Sequence, residues 1–572
     1  MLSQLLKTNG VSKGALSGFL PSIMNAAAST SVSVPSFSRS LSEKTTPKLP
    51  KDIPYFLTKQ MRQGSAWSPE KDLETLAKVP DPRSIIREDE INRLLEETKQ
   101  DAKDPVKIRA ILAKAYDNAL LKTPETCNAA DEFVQGLTLR EAATLLNVDE
   151  EKEPDLMMEL EETAFAIKEK IYGNRIVLFA PLYTANKCSN YCTYCGFNCE
   201  NEEMDRVTLS TEEVIQDAKQ IQRTGHKRIL MLCGEHPDYT FDQFLDAVKA
   251  VSKTTSEHNG ETRRINVEIP PVGISDMRRL KATDSVGTFT VFQETYHRET
   301  YDKFHLYGPK ADYDWRVSVF DRCQLAGIDD VGLGALFGLY DYRFEVLGLL
   351  QHAEHLDKTY GAGPHTISIP RIQPAAGAPT SSEIPYPVND KQFRKLVAVL
   401  RCAVPYTGMI LSTRESPEMR HVLMDMGISQ LSAGSRTEPG SYDSSEETHN
   451  EKEGTGTEGQ FALSDTRTMD EIVRDLLERG FLPSWCTACY RQARTGETFM
   501  GFAKSGAIHN YCHPNGLLTL AEYLIDYASP KTAEAGWKLI EKETETITSE
   551  PRKKAFKRKL DAIKNGERDL YF

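Results

Sequence analysis

Residues 175–195 read RIVLFAPLYTANKCSNYCTYC, an apolar run followed at once by three cysteines with the spacing CxxxCxxC. A short apolar run bounded by polar residues predicts a buried β-strand, here over 175–184. Cys188, Cys192 and Cys195 therefore stand where a strand ends and a loop begins. The neighbouring sequence indicates which fold carries these thiols.

Seven further apolar runs follow along the chain, and each predicts a strand. They are RILMLCGE (228–235), RINVEIPP (264–271), GTFTVFQET (287–295), DDVGLGALFGL (329–339), HTISIPRI (365–372), GMILSTRE (408–415) and ISQLSAGS (428–435). Amphipathic segments between them predict helices, for example TEEVIQDAKQIQRTG, which opens with a Thr cap and ends at Gly225, FDQFLDAVKAVSK and KQFRKLVAVLRCAV. Eight strands alternating with helices predict an α/β fold, a parallel (β/α)8 barrel of the TIM type, whose functional groups lie at strand ends.

The rest of the chain flanks this barrel. We expect a presequence over 1–42, a helical extension over 43–172, the barrel over 173–437, a low-complexity acidic insertion over 438–464, and a C-terminal auxiliary region with a helical tail over 465–572. The extension is helical by its spacing, as in DEINRLLEETKQDA. To the insertion, which contains EPGSYDSSEETHNEKEGTGTEGQ, we assign no chemistry.

Composition limits the function classes. A net charge of −13 argues against a nucleic-acid partner, and the basic run RKKAFKRK near residue 552 is interpreted as a solvated helix face. No stretch approaches the ~20 apolar residues of a membrane span, so we expect no membrane association. The first segment has no acidic residue before Glu43 and is rich in Ser and Ala, which is typical of an organelle presequence cleaved near Arg39. A disordered bacterial-type tail is the alternative.

Three thiolates suit a reactive iron–sulfur cluster. A 4Fe-4S cube held by three cysteines leaves one iron open to another ligand, whereas a structural zinc site closes with a fourth Cys or His. Cys199 would be that fourth ligand in the zinc alternative. With its position after a strand and with Tyr194 inside it, the motif resembles that of the radical S-adenosylmethionine (SAM) enzymes, whose open iron binds SAM. The second strand ends in CGEHP, where Gly234 and Glu235 resemble the glycine–glutamate element that contacts the SAM ammonium in that superfamily.

Other strand ends supply candidate cofactor ligands. Glu268, Gln293 and Arg316 are the ones we select, with Glu294 and Arg322 as neighbours in the same segments. Guanidinium groups pair with carboxylates such as those of SAM and of an amino-acid substrate. The alternative is that these residues form solvent-facing salt bridges.

A second cysteine group lies far downstream, in CTACYRQARTGETFMGFAKSGAIHNYCHPN. Cys486 and Cys489 form a CxxC pair, and Cys512 follows after 22 residues. Three thiolates again favour a cluster. The alternative is structural zinc with His509 or His513 as the fourth ligand.

The combination resembles the tyrosine lyase of FeFe-hydrogenase maturation, the HydG type, over roughly residues 60–570. The resemblance rests on both cysteine groups, QETYH, GPHTISIPR and SAGSRTEPG. It implies cleavage of L-tyrosine to p-cresol and dehydroglycine, followed by formation of carbon monoxide and cyanide on iron. It also implies a second auxiliary cluster with a labile iron that His365 helps to hold. The related 2-iminoacetate synthase of thiamine synthesis, which lacks this second cluster, is one alternative, and a non-catalytic iron–sulfur carrier is another.

The resemblance also implies partners and a compartment. We expect the other hydrogenase maturases, FeFe-hydrogenase and a reductant such as ferredoxin as partners. A hydrogenosome or mitochondrion-related organelle is favoured over a plastid. From strand-end position alone, Ser368, Arg371 and Arg414, with Ser412 and Arg436 beside them, are candidates to bind the tyrosine carboxylate and the fragment.

Overall fold

The computed structural model describes residues 79–120, 136–442 and 459–572. The predicted presequence (1–42), the start of the predicted extension and residues 443–458 of the predicted insertion lie outside the described residues. Among the helices of the described part, none has the length and apolar character needed to cross a bilayer.

Parallel strands form the centre of the molecule and close into a barrel. They are β1 Arg175–Ala185, β2 Arg228–Cys233, β3 Arg264–Glu268, β4 Val286–Glu294, β5 Val331–Ala335, β6 Thr366–Ser368, β7 Gly408–Leu411, β8 Gln430–Ser432 and β9 Leu482–Ser484. Strands β1 to β8 pair in chain order, and β8 returns to β1 with Val177 opposite Gln430. The predicted (β/α)8 barrel is confirmed, and all eight predicted strands are present, several of them shorter than expected.

Helices surround the barrel and continue at both ends of the chain. Those in the described residues are α1 Pro82–Ile85, α2 Glu88–Glu97, α3 Pro105–Asn118, α4 Leu139–Leu146, α5 Pro154–Tyr172, α6 Thr211–Arg223, α7 Phe241–Lys253, α8 Ile274–Lys281, α9 Arg298–Phe304, α10 Tyr313–Val317, α11 Val319–Leu325, α12 Tyr342–Tyr360, α13 Pro379–Ser382, α14 Asp390–Ala403, α15 Pro417–Met424, α16 Met469–Glu478, α17 Ala488–Arg491, α18 Gly496–Lys504, α19 His509–Asp526, α20 Pro530–Glu545 and α21 Glu550–Lys564.

Local sequence signals explain where several of these helices begin. Helix α6 starts with a capping box in which Ser210 accepts from the Glu213 N–H and Glu213 reaches back to Ser210. Ser210 is therefore the cap, and the expected Thr cap at position 211 was wrong by one residue. The helix ends before Gly225, whose φ of 93° is readily adopted only by glycine.

A ninth strand explains how the C-terminal region meets the barrel. Strand β9 pairs in parallel with the start of β1, with Leu482 opposite Arg175. Because β9 runs along the first three residues of β1, the chain that follows it lies at the amino ends of the barrel strands. The loop after β1, by contrast, lies at their carboxyl ends. Cys195, in the loop after β1, and Cys486, just after β9, therefore lie at opposite ends of one barrel.

Alternation along the strands separates the core from the barrel interior. On β1, Ile176, Leu178 and Ala180 belong to the main hydrophobic core. The intervening Val177 and Phe179 line cavities inside the barrel. Successive side chains of a strand point to opposite faces, so every second residue of β1 is available to a ligand.

Candidate active site with two cysteine groups at opposite ends of the barrel

The first cysteine group, Cys188, Cys192 and Cys195, is held in a tightly bonded loop after β1. The N–H of Cys195 donates to the carbonyl of Cys192 (3.1 Å), and the N–H of Thr193 donates to the carbonyl of Phe304 (3.1 Å). Tyr194 is buried, and its hydroxyl lies 2.8 Å from Nε2 of His305. The loop backbone is thus fixed by the segment after β4 rather than by solvent.

The three thiols lie close enough to influence one another's ionisation. Burial raises the pKa of Cys192, and negative charge on Cys195 and Cys188 raises it further, whereas Lys310 lowers it. Asn190 Nδ2 donates to Cys188 Sγ at 3.4 Å. Three neighbouring thiolates that repel one another need a cationic partner, and an iron–sulfur cluster supplies one on three separate irons. The donor set therefore fits a cluster held by these cysteines.

Gly234 and Glu235 pack directly beneath this loop. The Glu235 carbonyl accepts from the Ser189 N–H (2.7 Å) and Oγ (2.9 Å), and its carboxylate accepts from Asn190 Nδ2 (2.9 Å). A Cβ at Gly234 would lie 2.2 Å from the carbonyl oxygen of Lys187. Glycine is required there because two stretches of backbone touch, which explains the first half of the predicted glycine–glutamate element.

The barrel interior next to this loop is a cavity with an empty volume of about 830 Å³, here called the carboxyl-end cavity. Four of the predicted residues line it, namely Glu268, Ser368, Ser412 and Arg414. Burial, followed by the charge of Glu294, raises the pKa of Glu268 to about 7. The Arg414 guanidinium stacks on the Phe461 ring at 3.5 Å from its centroid, and its buried Nε has no hydrogen-bond partner.

A smaller pocket beside Cys195 contains groups that the sequence analysis did not select. Lys310 and Glu294 both line it, with Lys310 Nζ 2.7 Å from Glu294 Oε1. Gln460 and Phe461 line it as well, and they come from the end of the predicted insertion to which no chemistry was assigned. That assignment requires correction, because residues 459–464 return to the barrel. Composition gave no signal for this return.

The alternation of side chains along β4 corrects one prediction. Phe292 and Glu294 line the pocket beside Cys195, and Gln293, between them, does not. The Gln293 side chain is buried, and its Nε2 has no hydrogen-bond partner. The predicted cofactor-binding role is therefore better matched by Glu294. Arg316, another predicted cofactor ligand, lies beside Glu294. One of its guanidinium nitrogens is 3.8 Å from Glu294, and its Nε donates to the Phe292 carbonyl at 2.7 Å.

Three other arginines named in the sequence analysis line neither the carboxyl-end cavity nor the pocket beside Cys195. Arg371 is paired with Glu415 and Asp390 and stacks on Phe393, so its guanidinium is already engaged. Arg322 is buried and donates to the carbonyls of Val272 and Trp315. Arg436 is likewise absent from the cavity lining.

The second cysteine group, Cys486, Cys489 and Cys512, lines a second cavity with an empty volume of about 530 Å³, here called the amino-end cavity. Cys486 follows β9, Cys489 is on α17 and Cys512 is on α19. A hydrogen bond from Cys489 lowers the pKa of Cys512, and nearby guanidinium groups, that of Arg175 among them, lower it further. A thiolate at Cys512 is the form that binds metal.

His365 lies in the same cavity, as the resemblance implied. Its Nδ1 is 3.3 Å from Asp330 Oδ1, and Arg264 donates to Asp330 Oδ2 at 2.6 Å. Burial lowers the pKa of His365 to about 4, which keeps the imidazole neutral. A neutral histidine whose Nδ1 faces a carboxylate leaves Nε2 available, which is a common arrangement behind a metal. The donors present therefore fit an iron-containing group.

Arginines that begin three strands complete this cavity and were missed from the sequence. Arg175, Arg228 and Arg264 are the first residues of β1, β2 and β3, and all three line it. Buried Nε atoms of Arg175 and Arg228 have no hydrogen-bond partner. The repeated pattern of Arg before an apolar run was the available signal, and it marks a cavity suited to anions.

The zinc alternatives gain no support. In the residues that the structure describes, no group of three or more His, Cys, Asp and Glu side chains converges as on a single ion. None of the first three thiols is among the charges that shift the pKa of Cys199. His509 stacks on His513, and His513 Nε2 lies 3.3 Å from the Glu543 carbonyl, so neither imidazole lines the amino-end cavity.

The two cavities share one lining residue inside the barrel. Gln430, the first residue of β8, lines both of them. A Cβ at Gly408 would lie 2.7 Å from Gln430 Nε2, so the neighbouring strand leaves room for this side chain by carrying glycine. One amide side chain therefore lies in the wall between the cavities.

A barrel with an open three-cysteine site after its first strand defines a radical SAM enzyme, and the comparisons with known proteins agree. The family model described as Radical SAM superfamily matches residues 182–351, and that of the Biotin and Thiamin Synthesis associated domain matches residues 368–482. The 2-iminoacetate synthase of Escherichia coli (strain K12) is 30% identical over 365 residues, which are 62% of this chain and 91% of that protein.

Two solved structures are similar over nearly the whole described chain. A crystal structure of HydG, a maturase of the FeFe-hydrogenase, is 48% identical with a TM-score of 0.72, covering 82% of this chain and all of that one. The FeFe-hydrogenase maturase HydG of Carboxydothermus hydrogenoformans is 37% identical with a TM-score of 0.66, covering 83% and 100%. The chain belongs to the HydG family of radical SAM hydrogenase maturases, to which 2-iminoacetate synthase is related.

Proposed function

We propose that this protein cleaves L-tyrosine to p-cresol and dehydroglycine and then splits dehydroglycine into carbon monoxide, cyanide and water. The carbon monoxide and cyanide would be delivered on iron for the active-site cluster of FeFe-hydrogenase. Both steps balance: tyrosine contains the atoms of p-cresol and dehydroglycine, and dehydroglycine contains those of carbon monoxide, hydrogen cyanide and water.

One observation carries this proposal. The second cysteine group and His365 line one cavity, which shares Gln430 with the cavity of the first site. A lyase that released dehydroglycine to solvent would need no metal-ligating cavity at the far end of its barrel. A product made at one end and used at the other is protected from water if it passes through the interior.

The chain's own residues have distinct proposed roles. Cys188, Cys192 and Cys195 hold the 4Fe-4S cluster, which with bound SAM supplies the radical that starts the cleavage. The backbone at Gly234 and the carboxylate of Glu235 would recognise the SAM ammonium.

Substrate binding falls to the carboxyl-end cavity. Arg414, with its unpartnered buried Nε and its stacking on Phe461, is the proposed partner of the tyrosine carboxylate. Ser368 and Ser412 line the same space and offer hydroxyl groups. Glu268 is the acid that faces both this cavity and the pocket beside Cys195.

In the amino-end cavity, we propose that Cys486, Cys489 and Cys512 hold the auxiliary cluster and that His365 helps to hold its labile iron. The arginines that begin β1, β2 and β3 would neutralise the anionic fragment on arrival. Arg264 acts through Asp330, which orients the His365 ring.

Partners and compartment follow from the same assignment. We propose ferredoxin or a similar reductant as electron donor, and the other maturases and FeFe-hydrogenase as downstream partners. A hydrogenosome or related mitochondrion is the proposed location, with a plastid as the alternative.

The test is anaerobic turnover of the reconstituted chain with dithionite, SAM and tyrosine, with carbon monoxide and p-cresol measured in one tube. Cys486→Ala/Cys489→Ala should abolish carbon monoxide and leave p-cresol. Cys402→Ala, a buried cysteine outside both groups, is the matched control and should change neither product. Wild-type p-cresol without carbon monoxide would favour 2-iminoacetate synthase, which the 30% identity also allows. Bound clusters with no SAM cleavage would indicate a carrier.

A further inference from the structure

Residues 459–465, here called the strap, cross the carboxyl-end mouth of the barrel and are bonded to several loops. The Gly196 N–H donates to the Gln460 carbonyl (3.1 Å), and the Ala462 N–H donates to the Pro374 carbonyl (2.8 Å). The Ser464 and Asp465 N–H groups both donate to the Thr413 carbonyl (2.9 and 3.1 Å). Backbone bonds thus fix the strap to the loops after β1, β6 and β7.

Glycines allow the strap to touch the loop of the first cysteine group. A Cβ at Gly196, the residue after Cys195, would lie 2.2 Å from the Gly459 carbonyl oxygen. A Cβ at Gly459 would lie 2.3 Å from Thr437 Oγ1. A larger residue at Gly196 would separate the strap from this loop and move Gln460 away from its contacts, and one at Gly459 would crowd Thr437.

The Gln460 side chain links a buried phenol to a cluster-binding thiol. Tyr183 donates its hydroxyl proton to Gln460 Oε1 at 2.7 Å, and burial raises the pKa of Tyr183, so that the phenol remains protonated and able to donate. With its oxygen facing Tyr183, the amide presents its NH₂ to Cys195, and Nε2 lies 3.8 Å from Sγ. Tyr183 therefore donates to the Gln460 side chain, which in turn donates to Cys195.

We propose that Gln460 is a positioning residue that donates a hydrogen bond to Cys195 Sγ and thereby tunes the reduction potential of the cluster held by the first cysteine group. The proposal rests on the assignment of that group as the SAM-cluster site. Hydrogen bonds to ligating sulfur are among the factors that set the potential of an iron–sulfur cluster. A donor stabilises the more negatively charged reduced state, so removing it makes reduction harder.

The experiment is a redox titration of the anaerobically reconstituted full chain, following by electron paramagnetic resonance the cluster signal that changes when SAM is added. Gln460→Leu removes the donor, and Gln460→Glu removes it while adding negative charge. Both should shift the potential to more negative values, Glu more than Leu. Gln373→Leu is the matched control, since Gln373 lines the same pocket and makes no hydrogen bond to Cys195, and it should keep the wild-type potential.

An unchanged potential in Gln460→Leu would overturn the proposal. Electron paramagnetic resonance detects only chains that contain the cluster, so incomplete cluster incorporation weakens the signal without changing the measured potential. If neither variant loads, Gln460→His, which restores an N–H donor, should recover the cluster, and its failure to do so would equally overturn the hydrogen-bond role. The readout needs neither tyrosine nor carbon monoxide, so failure of the proposed function would appear separately, as missing products with an intact shift in potential.

Discussion

Substitution of Gly234 by alanine should disable SAM cleavage while leaving the fold in place. The new Cβ would lie 2.2 Å from the Lys187 carbonyl oxygen and 3.3 Å from Cβ of Cys188, whereas ordinary contacts begin near 3.4 Å. The obstacle is backbone and cannot rotate away, so the loop of the first cysteine group must move by about 1 Å. A displacement of about 1 Å near the chemistry can cost about 100-fold in rate, which corresponds to about 2.7 kcal/mol of activation free energy.

The assay is the initial rate of 5′-deoxyadenosine formation under dithionite, with iron content and the melting temperature of the cluster-free chain measured in parallel. Gly501→Ala is the matched control, because Gly501 is within helix α18 and a Cβ there meets nothing within 4 Å. That change should leave the rate alone and stabilise the helix by up to about 1 kcal/mol. A Gly234→Ala chain with a near wild-type rate and full iron content would refute the packing explanation.

Three further predictions address the barrel interior and its surroundings. Asp330→Asn leaves the buried Arg264 guanidinium without its counter-ion and should lower the free energy of unfolding by about 3–5 kcal/mol in urea titrations of the cluster-free chain; a loss below about 1 kcal/mol would contradict this. Gly408→Val should crowd Gln430, so that carbon monoxide falls severalfold with p-cresol maintained, whereas equal loss of both products would speak against a passage there. Burial raises the pKa of Glu345 to about 8 from 4.5, so the wild type should lose stability as pH rises between those values, because the unfolded carboxyl ionises first; the melting temperature of Glu345→Gln should fall less steeply over the same range, and a decline as steep as that of the wild type would contradict the assignment.

Much of the barrel was predictable because its strands are short apolar runs separated by capped helices. The ninth strand was missed for a physical reason. It is three residues long, contains Pro483, which cannot donate to a ladder, and pairs only along the edge offered by the start of β1. Such a strand carries almost no pattern of its own, and its position depends on the closed barrel already being present.

Candidate site residues could be proposed from the sequence where the chemistry is local, but not where their placement depends on strand alternation or on contacts between distant parts of the chain. The spacing of each cysteine group is visible within a few residues. Gln293 was chosen for its place at a strand end, without regard to alternation along β4, where Thr290, Phe292 and Glu294 line the interior and Gln293 points to the other face. Gln460 was missed because its contacts are to residues more than 250 positions earlier in the chain.

The opposed placement of the two cysteine groups follows from strand direction alone. All barrel strands are parallel, so a loop after β1 must lie at their carboxyl ends. Strand β9 is also parallel but pairs with the first residues of β1, so that Cys486, two residues beyond it, emerges beside the amino ends instead. Strand β9 pairs with the first residues of β1, whereas β2 pairs with later ones. This difference in pairing position, and not any feature of the cysteines, separates the sites. A family member without β9 would therefore keep the first site complete and have no scaffold to carry the second.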